Sequence, residues 1–330
     1  MMSKTFLFAL LLVSSLNFHY LPAQDTGCTT RTVPVGVVDR EWNFVQGLSA
    51  ANFRGNLRGH DVEIVSASID TSPRHIVLLL DASGSMAESS EAWHASKSLS
   101  EDLIRYAPPR ASIAQMAFSE TILDTAGFDQ DRLALLKRLA VLVKVCEQPR
   151  KTRRTALFDA ISSGVGALGV SDFGDVIYAV TDAKDNESQA QVKRVEQDLL
   201  GTAVRLFSVV ITYGDEMEGR VLEEIGARNR FLSMVEATGG NVLALPYGPA
   251  SDPIPLAYIK AKTMGDRIDL ALHRLYEQMG EFYRLDLRLP VTVDKPTEWK
   301  LEVIDEHGRP NRRVEVHYPH QLMPCAKASP

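Results

Sequence analysis

Basic charge is the first thing this sequence is short of. Its 36 Lys and Arg stand against 42 Asp and Glu in 330 residues, a net charge of −6. Broad nucleic-acid binding needs a basic face to neutralise phosphates, so that class is excluded. Cysteine is scarce: Cys28, Cys146 and Cys325 are all there is. An odd number cannot all pair within the chain, and spacing leaves two arrangements open. Either Cys28 and Cys325 form a disulfide with Cys146 left over, or all three stay thiols. The eight histidines show no HExxH spacing, which argues against zinc. There is no GxSxG elbow and no GxxxxGK[ST] phosphate loop. Repeats and low-complexity tracts are absent.

Long apolar runs are also missing, except at the start. Lys4, the apolar stretch Phe6 to Leu16 and the Leu21-Pro22-Ala23 cut site read as a signal peptide over residues 1–23. The apolar stretch is too short to span a bilayer. Nothing later is apolar enough to cross a membrane. The expectation is a secreted or periplasmic chain with no membrane span once the signal is removed.

What the mature chain has is alternation. Residues 24–72 are β-rich, with "TVPVGVVD" and "DVEIVSASI" as strands. From 75 to 247 apolar strands alternate with amphipathic helices. The strand candidates are "IVLLL", "IAQMAF", "VIYAV", "AVRLFSVVI" and "NVLAL". Such a pattern predicts an α/β fold, a doubly wound and mostly parallel sheet covered on both faces. A closing helix is expected over 263–284, then strands over 285–325 that pair with the N-terminal segment into a small β-rich domain built from both flanks. "EHGRPN" is a hairpin turn between the last two strands. Trp42, Trp93 and Trp299 read as packing residues.

The stretch "HIVLLLDASGSMAESS" carries the chemistry. A buried strand ends on Asp81, and Ser83 and Ser85 follow around Gly84. Parallel sheets place ligands at the carboxyl ends of their strands. One carboxylate and two hydroxyls suit a hard ion such as Mg²⁺ or Mn²⁺. Three oxygens do not fill an octahedron, so neighbouring strand ends must add more. Asp182 follows the strand "VIYAV" as Asp81 follows "IVLLL". Thr155 stands just before a helix, where its hydroxyl could cap that helix and face the sheet edge. Asp159 and Asp185 read as a helix-surface group and a loop group.

Asp-x-Ser-x-Ser, then a Thr before a helix, then an Asp after a later strand, resembles the von Willebrand factor A domain. The resemblance covers about residues 75–247. It implies a metal-ion-dependent adhesion site on Asp81, Ser83, Ser85, Thr155 and Asp182. It further implies that a Glu or Asp carboxylate of a protein partner completes the ion's coordination, and that the last helix moves in some members. The flanks, "VPVGVVDREWNFVQGLSAANF" and the closing helix with strands, resemble the secreted VWFA-related proteins of Acidobacteria. Two positions depart from the family pattern. Arg153 and Arg154 stand where many relatives have glycines before the threonine, and Ala183 stands where a glycine often follows the aspartate.

The reading is an exported, non-enzymatic adhesion or protein-interaction module. A metal-free scaffold of the cell envelope is one alternative. A Mg²⁺-dependent phosphohydrolase is another, opposed by Ser83 at the place where such enzymes of the haloacid-dehalogenase type carry a second aspartate. The run "PRKTRR", with Arg150, Lys151, Arg153 and Arg154, is either a solvated loop or a lure for an acidic partner.

Overall fold

The computed structural model describes residues 29–88, 90–146, 154–213, 222–247 and 258–325. The stretch that reads as a signal peptide, Cys28 and most of the "PRKTRR" run lie outside them, so the disulfide question does too. Among the described residues no helix is long and apolar enough to cross a membrane.

The chain opens on strands β1 (Thr30–Asp39), β2 (Phe53–Leu57) and β3 (His60–Asp70). An α/β segment follows: β4 (His75–Asp81), α1 (Gly84–Glu88), α2 (Ser90–Tyr106), β5 (Ser112–Phe118), β6 (Ile122–Ala126) and α3 (Arg132–Cys146). It continues through α4 (Leu157–Leu168), β7 (Val176–Thr181), α5 (Val192–Gly201), β8 (Arg205–Tyr213), α6 (Leu222–Ala237), β9 (Val242–Tyr247) and α7 (Met264–Gly280). The end is β10 (Phe282–Arg288), β11 (Thr297–Glu298), β12 (Lys300–Val303), β13 (Val314–His317) and β14 (Gln321–Leu322).

The α/β segment builds a six-stranded sheet in the order β6-β5-β4-β7-β8-β9. Its pairings are parallel except at β6, an antiparallel edge strand. β4 is buried on both faces, which is why it reads as an unbroken apolar run. Ile76, Leu78 and Leu80 point to the side packed by α2, α3 and α7. Val77 and Leu79 point to the side packed by α4, α5 and α6. The chain leaves β4 toward β5 and β6, then returns to β7 on β4's other side. Loops from β4 and β7 therefore depart in opposite directions and leave a crevice between them, the place where such sheets hold ligands.

The two flanks pair into a second, antiparallel six-stranded sheet, ordered β12-β2-β3-β10-β1-β13, with its own apolar core. The closing helix is shorter than its sequence pattern predicts. It stops at Gly280, Glu281 takes an extended backbone, and Phe282–Arg284 belong to β10. Phe282 and Tyr283 have apolar neighbours at helical spacing, but they are buried as strand residues against β1 and β3. The "EHGRPN" turn forms, with Asp305 N–H donating to Arg309 O at 2.8 Å. The strands it joins are not ladder partners, however. β12 and β13 lie on opposite edges of the sheet, and the segment that joins them folds back on itself at the bridge of Ile304 with Pro310.

Trp42 and Val38 reach from the first strand's end into the core beneath α7. Arg205 ties the same region from the other side. Its guanidinium is fully buried and donates to Gln278 O at 2.8 Å and Met279 O at 2.6 Å, two carbonyls in the last turn of α7. A cation at a helix C-terminus meets the negative end of the helix dipole. Burial, then the nearby Arg74 charge, pushes the Arg205 guanidinium down to about 9. Its ring neighbour Phe282, 4.2 Å from the guanidinium carbon, is the first residue of β10.

Candidate functional site

Asp81 ends β4 with no exposed surface, and Ser83 is equally buried two residues on. Gly84 opens α1, so Ser85 lies in the first turn of that short helix. The Ser83 N–H donates to Asp81 Oδ1 at 2.9 Å, and the two serine hydroxyls lie 3.1 Å apart. Neighbouring oxygens on an octahedral Mg²⁺ stand about 3 Å apart, given Mg–O bonds of about 2.1 Å. The serine pair matches that spacing.

Asp182 follows β7, the strand beside β4, and is also fully buried. Two carboxylates thus face one crevice. Burial first, and the Asp182 charge second, push the Asp81 carboxyl up to about 7; hydrogen bonds from Thr181 and Ser83 oppose this. The strongest of these bonds was not visible in the sequence. Thr181 Oγ1 donates to Asp81 Oδ2 at 2.7 Å and accepts from the Ala183 N–H at 3.0 Å. Ala183 takes φ +59°, a left-handed backbone that favours glycine, while its methyl is buried.

Thr155 sits on a loop locked to both others. Its N–H donates to Asn186 Oδ1 at 2.9 Å, and its carbonyl accepts from the N–H groups of Asn186 and Glu187 at 3.0 and 3.2 Å. Ser119, just past β5, braces the same loop. Its hydroxyl donates to Arg154 O at 3.1 Å and its carbonyl accepts from Ala156 N–H at 2.8 Å. The residue before it, Phe118, accepts from Ala82 N–H beside Asp81 at 2.8 Å. The three loops therefore interlock at one rim.

The helix-cap role expected of Thr155 is not there. The residue preceding α4 is Ala156, and no side chain of its own caps the helix. Asp185 supplies the cap from the third loop, accepting from Leu157 N–H at 2.8 Å and from the Ser188 hydroxyl. Asp159, read as a helix-surface group, accepts from Gln189 N–H at 3.0 Å and Ala190 N–H at 2.7 Å. Both acids hold the third loop against α4. With the cap provided elsewhere, Thr155 Oγ1 is buried with no hydrogen-bond partner among the described residues. A buried hydroxyl without a partner costs about 1–3 kcal/mol. A hard cation accepting its oxygen would remove that cost, so the donor set fits the implied metal.

Lys184 adds a charge that the sequence pattern did not single out. Its Nζ lies 3.2 Å from Asp182 Oδ2, near enough for an ion pair. Among the described residues that oxygen has no hydrogen bond, so the contact is close but poorly directed. Arg154 is the one member of the basic run within view, and it is exposed and paired with Glu187 at 3.1 Å.

A second cluster lies near the amino edge of the sheet, where His75 approaches Asp172 and Asp175 at 3.7 and 3.4 Å. Asp175 already accepts the backbone N–H groups of His75 and Asp172, at 2.9 and 2.8 Å. That satisfies it as a strut between β4 and the turn before β7.

No protein-family model and no curated protein matches the chain. Among solved structures it is similar to the conserved hypothetical protein BatB from Bacteroides thetaiotaomicron, at 12% identity over 62% of this chain and 98% of that one, TM-score 0.43. An aerotolerance-related membrane protein from Bacteroides fragilis aligns at 13% identity over 52% and 91%, TM-score 0.41. A von Willebrand factor type A protein from Catenulispora acidiphila aligns at 11% identity over 88% and 72%, TM-score 0.39. These overlaps are partial, and the chemistry of the rim rests on its own atoms.

Proposed function

We propose that this chain is a von Willebrand A-type interaction module that binds Mg²⁺ or Mn²⁺ at the rim between β4 and β7. Ser83, Ser85 and Thr155 offer hydroxyl oxygens, and Asp81 and Asp182 offer carboxylates. The ion would supply a positive, coordinatively unsaturated centre for a Glu or Asp side chain of a protein partner. The protein's part is to hold five oxygens on three interlocked loops and to exclude other donors. The observation that carries this reading is Thr155 Oγ1, buried and without a partner among the described residues, at the rim that Asp81 and Asp182 share. A lone metal-to-carboxylate contact gives specificity for acidic groups, and surrounding surface must add affinity. No turnover is part of the proposal. Export to the periplasm or medium, from the N-terminal pattern, belongs to the same reading.

One observation favours a second reading. The Lys184 ammonium already lies against Asp182, as it would in a metal-free scaffold. Thermal unfolding against Mg²⁺ separates the two, because a ligand of the folded state raises its stability by mass action. A dose-dependent rise in Tm that Asp81→Ala abolishes supports the cation site. No rise in the wild type favours the scaffold. Capture from native extract, in Mg²⁺ and in chelator, with wild type and Asp81→Ala, then tests whether a partner depends on the ion.

A further inference from the structure

We propose that Lys184 is a tethered counter-cation of the Asp81–Asp182 pair, which an entering divalent ion must push aside. The inference rests on the cation reading above and concerns its control.

Two fully buried carboxylates share the crevice, and the Lys184 ammonium lies 3.2 Å from Asp182 Oδ2. The contact lacks hydrogen-bond direction, so little geometry is lost when it breaks. The backbone is held independently of the ammonium. Lys184 N–H donates to Asp182 Oδ1 at 3.1 Å, and the next two residues are pinned to α4 and Thr155. Displacement therefore leaves that backbone in place and moves a four-carbon side chain whose residue keeps 9% of its surface exposed. An ammonium and a divalent ion cannot both lie against one carboxylate oxygen, since like charges at that range repel strongly inside a protein. Occupancy by one excludes the other. Metal affinity is then set below what five oxygens would otherwise give, and metal entry frees a flexible cation at the mouth of the site, where an acidic partner arrives.

The test is calorimetric titration of the full mature chain with Mn²⁺ and Mg²⁺. Lys184→Met is expected to bind at least about tenfold more tightly than wild type, and Lys184→Arg, which keeps the charge, to stay near wild type. Binding by Lys184→Met alone would be the same result in its extreme form. Wild type that binds metal, with Lys184→Met within about twofold of it, overturns the displacement and leaves the cation reading standing. No binding by any of the three overturns both. Should Lys184→Met fail to fold in chelator, the wild type decides by amine acetylation read by mass spectrometry. Lys184 should react several-fold faster in Mg²⁺ than in chelator, and equal rates overturn the proposal.

Discussion

Thr181 Oγ1 donates to Asp81 Oδ2 at 2.7 Å, joining the ends of two neighbouring parallel strands. The bond aims one carboxylate oxygen and leaves Oδ1 to the Ser83 N–H. Hydrogen bonds to charged groups contribute about 1.5–3 kcal/mol, and partners that orient a metal ligand are worth about 10–100-fold in affinity. Thr181→Val should therefore lower stability by a few kcal/mol in urea unfolding and weaken Mg²⁺ binding within that range. Thr181→Ser should restore most of both. Wild-type affinity in Thr181→Val would mean that Asp81 needs no such orientation.

Thr155→Val separates a structural hydroxyl from a ligand. Thr155 Oγ1 bonds to nothing among the described residues, so its removal should be neutral or stabilising, by up to about 1–3 kcal/mol, in chelator. In Mg²⁺ the same variant should lose about tenfold or more in affinity. Equal loss of stability with and without metal would show that the hydroxyl is structural.

Ala183 holds φ +59° with its methyl buried among α4, α5 and α6 residues. A left-handed backbone costs an L-residue about 1–2 kcal/mol, and one buried methyl returns about 0.8 kcal/mol. Ala183→Gly should thus be neutral or slightly stabilising. Ala183→Val adds a β-branch at positive φ and should destabilise by about 2 kcal/mol or more. Chemical denaturation of the pair reads both signs.

His317 provides a pH dependence away from the candidate metal site. Burial, then the charge of His320, pushes its imidazole down to about 4, while a bond to the Gly240 backbone opposes this. Glu315, 3.9 Å from its Nε2, also favours the charged ring. The unfolded chain takes up this proton near 6.5 and the folded chain near 4, so unfolding gains a proton between them. Stability from this group is complete above about 6.5, falls as the pH drops toward about 4, and is flat below that. His317→Asn should lose less stability than wild type between pH 7 and pH 5. Parallel losses would place the sensitivity elsewhere.

Much of the α/β segment was legible because burial on both faces of a strand is written locally. Each of the five apolar runs falls on a strand, from "IVLLL" in β4 to "NVLAL" in β9, with only Ala203, Val204 and Asn241 lying ahead of theirs. The edge strand β6 was not, since "ILDTA" alternates only weakly and has one paired side. Residues 282–284 continued a helical spacing that Gly280 and the pull of two partner strands cut short. At the rim, the oxygen-bearing residues Asp81, Ser83, Ser85, Thr155 and Asp182 could be named from their places at strand and helix ends. The sequence pattern leaves Asp185 and Asp159 peripheral, since the partners that make them braces lie 28 to 31 positions away.

By itself the sequence determined the alternation of strands and helices, the carboxyl-end placement of the acids and the supply of hydroxyls, because these follow from residue types a few positions apart. The tertiary structure alone decided what each oxygen does. Thr181 reaches Asp81 across 100 positions, Asp185 takes over the cap that would have occupied Thr155, and Lys184 turns toward Asp182 rather than solvent. Those choices depend on which strands lie side by side, and strand order is settled by packing two cores at once, which no local pattern contains.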